Sequence, residues 1–154
     1  SMFNIVLYQP EIPPNTGNII RLCANTGSAL HLVHPLGFVL SKKTLKRAAL
    51  DYEDLATIKE HKNIEDCLKT IHNTRVFALS TKGRTSYTKI EFQPNDTFVF
   101  GSETGGLPLK FTRSRQCEKV LRVPMVEQSR SINLSNTVAI VIYEGLRQLK
   151  NNLV

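Results

Sequence analysis

Short apolar runs alternate along the chain with stretches of helical periodicity, and this alternation restricts the possible folds more than any other feature. The runs are four to six residues long, as expected for buried strands, and occupy residues 3–8, 29–33, 75–79, 97–100 and 119–123. Helices are predicted from the capping residues Asn15 and Thr16 to Gly27, and over residues 41–49, 63–71 and 134–149. The alternation predicts an α/β fold with a mostly parallel sheet flanked by helices.

The composition fits one folded domain, which we expect to span residues 2–154, with Ser1 as a cloning remnant. Hydrophobic residues make up 41% of the chain, which excludes disorder as its main state. No apolar run reaches the roughly 18 residues of a membrane span, and we expect neither a membrane segment nor a secretory signal. Three widely spaced cysteines predict reduced thiols and a cytoplasmic location.

Three polar loops follow predicted strands, at residues 9–17, 101–108 and 124–133. Loops at the carboxyl ends of parallel strands gather at one edge of the sheet, so we expect a ligand site there. Gly101, Gly105 and Gly106 permit positive φ and close approach of a ligand, although an ordinary tight turn would also use them. Their spacing matches neither the dinucleotide-binding glycine pattern nor the P-loop, which disfavours both sites.

The first predicted helix carries a polar stripe of Asn18, Arg21 and Asn25 opposite its apolar face. Arg21 there would suit a phosphate or a developing oxyanion, although a surface ion pair is the commoner role of an arginine. The start of the helix directly after a buried strand is a usual ligand position in α/β proteins.

The formal net charge of +7 favours a polyanionic partner such as RNA. Basic residues cluster in two stretches, although such runs are usually solvated faces; the stretches are Lys42, Lys43, Lys46 and Arg47, and Lys110, Arg113, Arg115 and Lys119. The histidines at positions 31, 34, 61 and 72 show no ligand spacing, and no paired-cysteine motif occurs. We therefore expect no metal site.

Three segments resemble the three motifs of the SPOUT methyltransferases. They are PEIPPNTGNIIRLCANTG at residues 10–27, FVFGSETGGLP at residues 98–108 and RVPMVEQSRSINLSNTVAIVIYEGLRQ at residues 122–148. The length and the first motif are similar to those of the small TrmL (YibK-like) subgroup. Members of that subgroup methylate the ribose 2′-hydroxyl of the wobble nucleotide, a cytidine or modified uridine, of leucine tRNAs.

The resemblance implies a C-terminal deep trefoil knot, a homodimer, and S-adenosylmethionine as the methyl donor. It also implies that the anticodon stem-loop of tRNA is the partner. The positions that match the family's catalytic residues are Arg21, Glu103 and Asn133. The positions that match its cofactor-binding residues are Leu79, Gly101, Val123, Met125 and Ser131.

Many members of the family carry arginine where this chain has Gly105. An RNA contact made by that arginine would have to come from Arg84 or Arg130 here. The predicted RNA-binding residues are therefore Asn18, Lys42, Lys43, Lys46, Arg47, Arg84 and Arg130. Two alternatives remain: a non-catalytic RNA-binding or ribosome-assembly factor of the same fold, and a methyltransferase for another tRNA or rRNA site.

Overall fold

A seven-stranded parallel sheet with helices on both faces forms the centre of the part of the chain that the computed structural model describes, residues 2–46, 57–150 and 153–154. The strands are β1 (Asn4–Tyr8), β2 (Ala29–Val33), β3 (Ile58–His61), β4 (Val76–Leu79), β5 (Thr85–Ser86), β6 (Thr97–Phe100) and β7 (Lys119–Arg122). Their order across the sheet is β3-β2-β1-β6-β4-β7-β5. The helices are α1 (Pro13–Thr26), α2 (Lys42–Lys46), α3 (Ile64–Lys69), α4 (Leu109–Thr112) and α5 (Leu134–Leu149).

Strand alternation divides the core between the two faces of the sheet. On β1, the side chains of Ile5 and Leu7 belong to one buried cluster and that of Val6 belongs to another. The first cluster includes the apolar faces of α1 and α5, which pack against each other, and the second includes α3 and Phe111 of α4. Because both faces are covered, the central strands are mostly apolar, as in other parallel sheets.

Most of the predicted elements are confirmed. The strands over 29–33 and 97–100 and the helix over 134–149 have the predicted bounds, and the other predicted strands differ by one residue at an end. The helix over 63–71 is shorter, and its cap Asn63 accepts a hydrogen bond from the Asp66 N–H. Of the basic helix predicted over 41–49, α2 covers residues 42–46, Ser41 lies just before it, and residues 47–49 lie outside the described residues. The short elements β3, β5 and α4 were not predicted.

The start of α1 corrects one prediction. The predicted helix begins at the capping residues Asn15 and Thr16, yet Pro13 and Pro14 form the first turn of α1. A proline fits that position because the first N–H groups of a helix have no partner within it. Asn15 and Thr16 therefore lie inside the helix rather than capping it, and Gly27 ends it with φ of 68°, as predicted.

The middle of α5 corrects a second expectation. Residues 138–143 are apolar all round in sequence, which predicts a fully buried helix. Val138, Val141 and Ile142 are indeed buried, but the side chain of Tyr143 is 52% exposed. The helix therefore buries one face against the sheet and α1 and presents apolar surface on the other.

Among the described residues, no helix combines the length and apolarity that crossing a membrane requires. The C-terminal knot implied by the resemblance stays a prediction. The knot would form in the segment that follows β7, which crosses back over the sheet before α5 packs against α1.

We predict that Gly145→Ala destabilises the protein, although alanine is normally favoured over glycine within a helix by about 1 kcal/mol. A Cβ atom on Gly145 would lie 2.5 Å from Phe3 Cζ and 2.7 Å from Phe92 Cδ2. The Phe3 ring is fully buried and packs edge-on against the rings of Phe92 and Phe98. We expect the free energy of unfolding, measured by denaturant titration, to fall by about 1–3 kcal/mol.

Asn136→Ala on the exposed face of the same helix is the control, with an expected change below about 0.5 kcal/mol. A Gly145→Ala protein as stable as the parent would show that the two rings do not pack against the helix backbone as described.

Candidate active site

A cavity of about 580 Å³ lies at the carboxyl edge of the sheet. Strands β1, β6, β4 and β7 are neighbours there, so the loops that follow them meet. All three loops predicted to converge contribute to the cavity wall, through residues such as Ile12, Gly101 and Asn133. The volume is in the range of pockets that hold small molecules and cofactors.

The Glu103 carboxylate joins the first and second of these loops. Its Oε1 accepts a hydrogen bond from the Glu11 N–H at 2.9 Å, and its Oε2 accepts one from the Ile12 N–H at 2.9 Å. The side-chain amide of Asn15 donates a third bond to Oε2 at 3.2 Å. With three donors on one carboxylate, Glu103 holds the first and second loops together.

A second carboxylate, that of Glu11 in the first loop, accepts hydrogen bonds from the second loop. Glu11 Oε1 accepts hydrogen bonds from the Thr104 hydroxyl at 2.7 Å and from the Thr104 N–H at 3.0 Å. These bonds, the hydroxyl's above all, lower the pKa of the Glu11 carboxyl below its ordinary value. The adjacent residues Glu103 and Thr104 thus both form hydrogen bonds with Glu11 of the first loop.

Asn15 connects this pair of loops to the third. Its side-chain oxygen accepts a hydrogen bond from Asn133 Nδ2 at 3.0 Å. Asn133 in turn caps α5, because its Oδ1 accepts bonds from the Asn136 N–H and the Ser135 hydroxyl. A continuous hydrogen-bonded series therefore runs from Glu103 through Asn15 to Asn133. We call it the loop clasp.

The glycines of the second loop differ in what they permit. Gly106 has φ of 64°, which favours glycine. At Gly101 the constraint is space, since a Cβ there would overlap the Gly106 backbone. At Gly105 a Cβ would meet only the Ser102 hydroxyl oxygen, at 2.9 Å. The loop folds back on itself through a bridge between Ser102 and Gly106, and its backbone forms part of the cavity wall.

All five positions that match the family's cofactor-binding residues line the cavity: Leu79, Gly101, Val123, Met125 and Ser131. They supply apolar side chains and an open backbone next to polar Ser131, which suits a ligand with an apolar ring and polar edges. Glu103 and Asn133 line the same cavity.

Arg21 does not line the cavity. It lies on the exposed face of α1 together with Asn18 and Asn25, as the predicted polar stripe requires. Of the predicted RNA-binding residues, Lys42, Lys43 and Arg84 are exposed, and Arg130 is both exposed and part of the cavity wall. Lys46 lies in α2, and Arg47 lies outside the described residues.

A fourth loop at the cavity went unpredicted. Ser80, Thr81 and Lys82 follow β4 and line the wall. The available signal was their position directly after a predicted strand, since β4 lies between β6 and β7 and its loop must open at the same edge. Lys82 adds a cation to a wall that also holds Arg130.

Comparison with known proteins is consistent with this geometry. The model of the SpoU rRNA methylase family matches residues 2–143. A tRNA (cytidine(34)-2′-O)-methyltransferase of Aeromonas hydrophila is 55% identical over 148 residues, which cover 96% of this chain and 95% of the relative.

Two solved structures superimpose closely. One, described as giving structural insights into the 2-OH methylation of C/U34 on tRNA, has a TM-score of 0.88 and 41% identity and covers 97% of both chains. The other is an AdoMet-bound rRNA methyltransferase from Sinorhizobium meliloti, with a TM-score of 0.82 and 25% identity. It aligns with 97% of this chain and 57% of its own.

We predict that Glu103→Gln opens the loop clasp. A glutamine side chain presents one N–H₂ group to a site where both oxygens accept from backbone N–H groups, so one donor loses its partner. Hydrogen exchange followed by NMR should show protection of the Glu11 or Ile12 amide reduced by about 10-fold or more.

The matched control is Glu127→Gln, an exposed carboxylate of the third loop, which should leave both amides protected. Unchanged protection in Glu103→Gln would show that the first loop keeps its position without this carboxylate.

Proposed function

The chain belongs to the SpoU rRNA methylase family, and we propose that it methylates the ribose 2′-hydroxyl of nucleotide 34, the wobble nucleotide, of leucine tRNAs in the cytoplasm. The nucleotide is a cytidine or a modified uridine. The supporting observation is the 55% identity, along almost the whole of both chains, to a relative named for this reaction. The cavity supplies the place where the reaction would occur.

The methyl donor is S-adenosylmethionine. When bound, it supplies a methyl group that is already activated by its positively charged sulfur, so the leaving group needs no acid. The residues present suit this molecule, because the cavity of about 580 Å³ is lined by the backbone of glycine residues and by apolar side chains. We assign its binding to Leu79, Gly101, Val123, Met125 and Ser131.

The remaining task of the protein is to align the 2′-hydroxyl and to assist the loss of its proton. Alignment alone accounts for much of the acceleration in such reactions, with effective molarities of ~10⁵ M or more. The loop clasp contributes to this alignment by fixing the relative positions of three loops of the cavity. Glu103 and Asn133 then act as positioning residues, which refines the catalytic role that the resemblance implies for them.

We assign stabilisation of the emerging alkoxide to Arg21. A protonated guanidinium offers no hydrogen-bond acceptor, so it cannot serve as the general base, and a phosphate oxygen or a water molecule takes the proton instead. Its planar set of N–H donors suits an alkoxide and an adjacent phosphate oxygen. The exposed position of Arg21 on α1 places it where a bulky RNA substrate can reach it.

RNA binding is assigned to the exposed basic side chains around the cavity mouth and on α2. Arg130 and Lys82 lie on the cavity wall itself, and Lys42, Lys43 and Arg84 are exposed. An anticodon stem-loop presents phosphates to such cations and unpaired bases that a protein can read. Asn18, on the same face of α1 as Arg21, would provide a hydrogen-bonding group near the ribose.

We also propose that the enzyme is a homodimer. Tyr143 on α5 is 52% exposed, and Ile12 at the start of α1 is 43% exposed. Tyr143 lies on α5 and Ile12 is the N-cap of α1, the helix that packs against α5, so the two exposed side chains offer apolar area for a second copy. Such a dimer would place the exposed face of α1, including Arg21, near the partner subunit.

Methyl transfer to leucine tRNA tests the function directly. Nuclease digestion and mass spectrometry of the product should find a ribose-methylated pyrimidine at nucleotide 34, and a tRNA with that nucleotide replaced by a 2′-deoxy residue should gain no methyl group. Methylation of a base or of another nucleotide would overturn the substrate assignment. RNA binding without transfer would favour the non-catalytic alternative.

We predict that Gly101→Val prevents cofactor binding while the sheet stays folded. The valine Cβ would overlap the Gly106 backbone and force the second loop out of its path along the cavity. Calorimetry should show S-adenosylmethionine affinity reduced by at least about 10-fold, with an unchanged circular dichroism spectrum.

Gly105→Ala is the comparison, because its Cβ meets only a movable hydroxyl, and we expect a smaller loss of affinity. Near-normal affinity in a folded Gly101→Val protein would contradict the assignment of the glycine loop.

We predict that Arg21→Lys lowers kcat by about 100-fold with little change in tRNA affinity. Lysine keeps the positive charge but lacks the planar set of donors, and loss of a donor to a developing oxyanion has an effect of this size. Single-turnover methyl transfer and a tRNA-binding titration measure the two quantities separately.

Arg147→Lys is the matched control, an exposed arginine paired with Glu144 on α5. Full activity of Arg21→Lys at unchanged tRNA affinity would show that the planar fork is dispensable.

A further inference from the structure

Three side chains capable of binding a metal lie together near the β3 edge of the sheet. They are His31 of β2, His61 at the end of β3 and Cys67 of α3, and none of them lines the cavity. One ligand atom from each lies within 4.8 Å of the other two. The function proposed above uses none of these groups.

The fold explains how residues so distant in sequence meet. Strands β2 and β3 are paired in parallel with Val33 opposite His61, so His31 lies diagonally across from the second histidine. The helix α3 follows β3 and packs Cys67 into the same buried cluster as Val33. Because the three residues come from three elements, their spacing matches no linear metal-binding motif.

The two imidazoles already direct nitrogen atoms toward each other. His31 Nδ1 and His61 Nε2 are 2.8 Å apart, which is a hydrogen bond in which one ring donates and the other accepts. His31 is 3% exposed and Cys67 is fully buried, whereas His61 is partly exposed. Polar groups are therefore concentrated in an otherwise apolar region, with one side open to water.

We propose that His31 Nδ1, His61 Nε2 and Cys67 Sγ bind a zinc ion, with a water molecule as the fourth ligand. Imidazole nitrogen and thiolate are preferred zinc ligands, at about 2.0–2.1 Å and 2.3 Å respectively. Tetrahedral coordination at those lengths separates ligand atoms by roughly 3.3–3.6 Å. Small side-chain rotations bring a cluster within 4.8 Å to such separations.

The proton balance of binding is simple. The thiol releases its proton to solvent when the S–Zn bond forms. The nitrogen that donates the hydrogen bond between the rings gives up its proton to bind zinc, and that ring takes up a proton on its other nitrogen. Each imidazole therefore carries one proton before and after binding. One proton is therefore released for each ion bound. Of the charged groups near His61, Asp66 favours a cation and Lys59 opposes it.

Bound zinc would stabilise the β3 edge of the sheet. In the part of the chain that the structure describes, the edge strand β3 has one neighbour, β2, and the ion would connect it both to that strand and to α3. The expected consequence is a higher melting temperature in the presence of zinc, independent of any effect on methyl transfer.

Cobalt substitution tests the site on the whole protein. Chelator-treated protein titrated with Co²⁺ should show thiolate-to-metal charge-transfer absorbance that saturates at one equivalent, and Zn²⁺ should displace the colour and raise the melting temperature. Cys67→Ser should remove the charge-transfer band, and His61→Gln, at the partly exposed ligand, should weaken binding by about 100-fold or more.

Cys23→Ser is the matched control, because burial raises the pKa of Cys23 and of Cys67 alike to about 12 and only Cys67 lies beside the histidines. It should keep the band. Absence of the band in the parent protein, or its persistence in Cys67→Ser, would overturn the proposal. Should Cys67→Ser fail to fold by circular dichroism, full-strength binding by His61→Gln would overturn it equally.

Discussion

The arrangement of the cavity depends on one carboxylate, that of Glu103. Glu103 accepts hydrogen bonds from two consecutive backbone N–H groups and from Asn15, and Asn15 passes the connection to Asn133. Each of the three loops lacks regular structure over part of its length. These hydrogen bonds hold the loops together there, as backbone hydrogen bonds between strands hold the sheet. Charged acceptors form the stronger kind of hydrogen bond, which suits a position where loops would otherwise move independently.

The fold was largely predictable from the sequence because its central strands are apolar on both faces and its helices are periodic. The elements that were not predicted are those without such patterns. Strand β3 reads Ile-Lys-Glu-His and lies at the sheet edge, where polar residues are tolerated, and β5 has only two residues. Pro13 and Pro14 misled the prediction of α1 because proline excludes a helix interior but not its first turn.

The cavity was predictable to a similar degree. A parallel sheet forces the loops after its strands to one edge, and the resemblance placed cofactor positions in the second and third loops and at Leu79, the last residue of β4. Residue patterns could not reveal that Glu103 bonds to backbone N–H groups, since those partners carry no side-chain signature. The meeting of His31, His61 and Cys67 was equally hidden, because it depends on strand register and on the packing of α3.

The segment Pro10-Glu-Ile-Pro-Pro14 contains two residues with a backbone N–H, Glu11 and Ile12, and Glu103 binds both. The three prolines stiffen the segment, and the two remaining residues carry the donors that attach it. The bonds to Glu103 therefore depend on main-chain N–H groups and not on which side chains stand at positions 11 and 12. Any residue with a backbone N–H would keep the bond at position 12, but a further proline there would remove a donor and leave the carboxylate short of a partner.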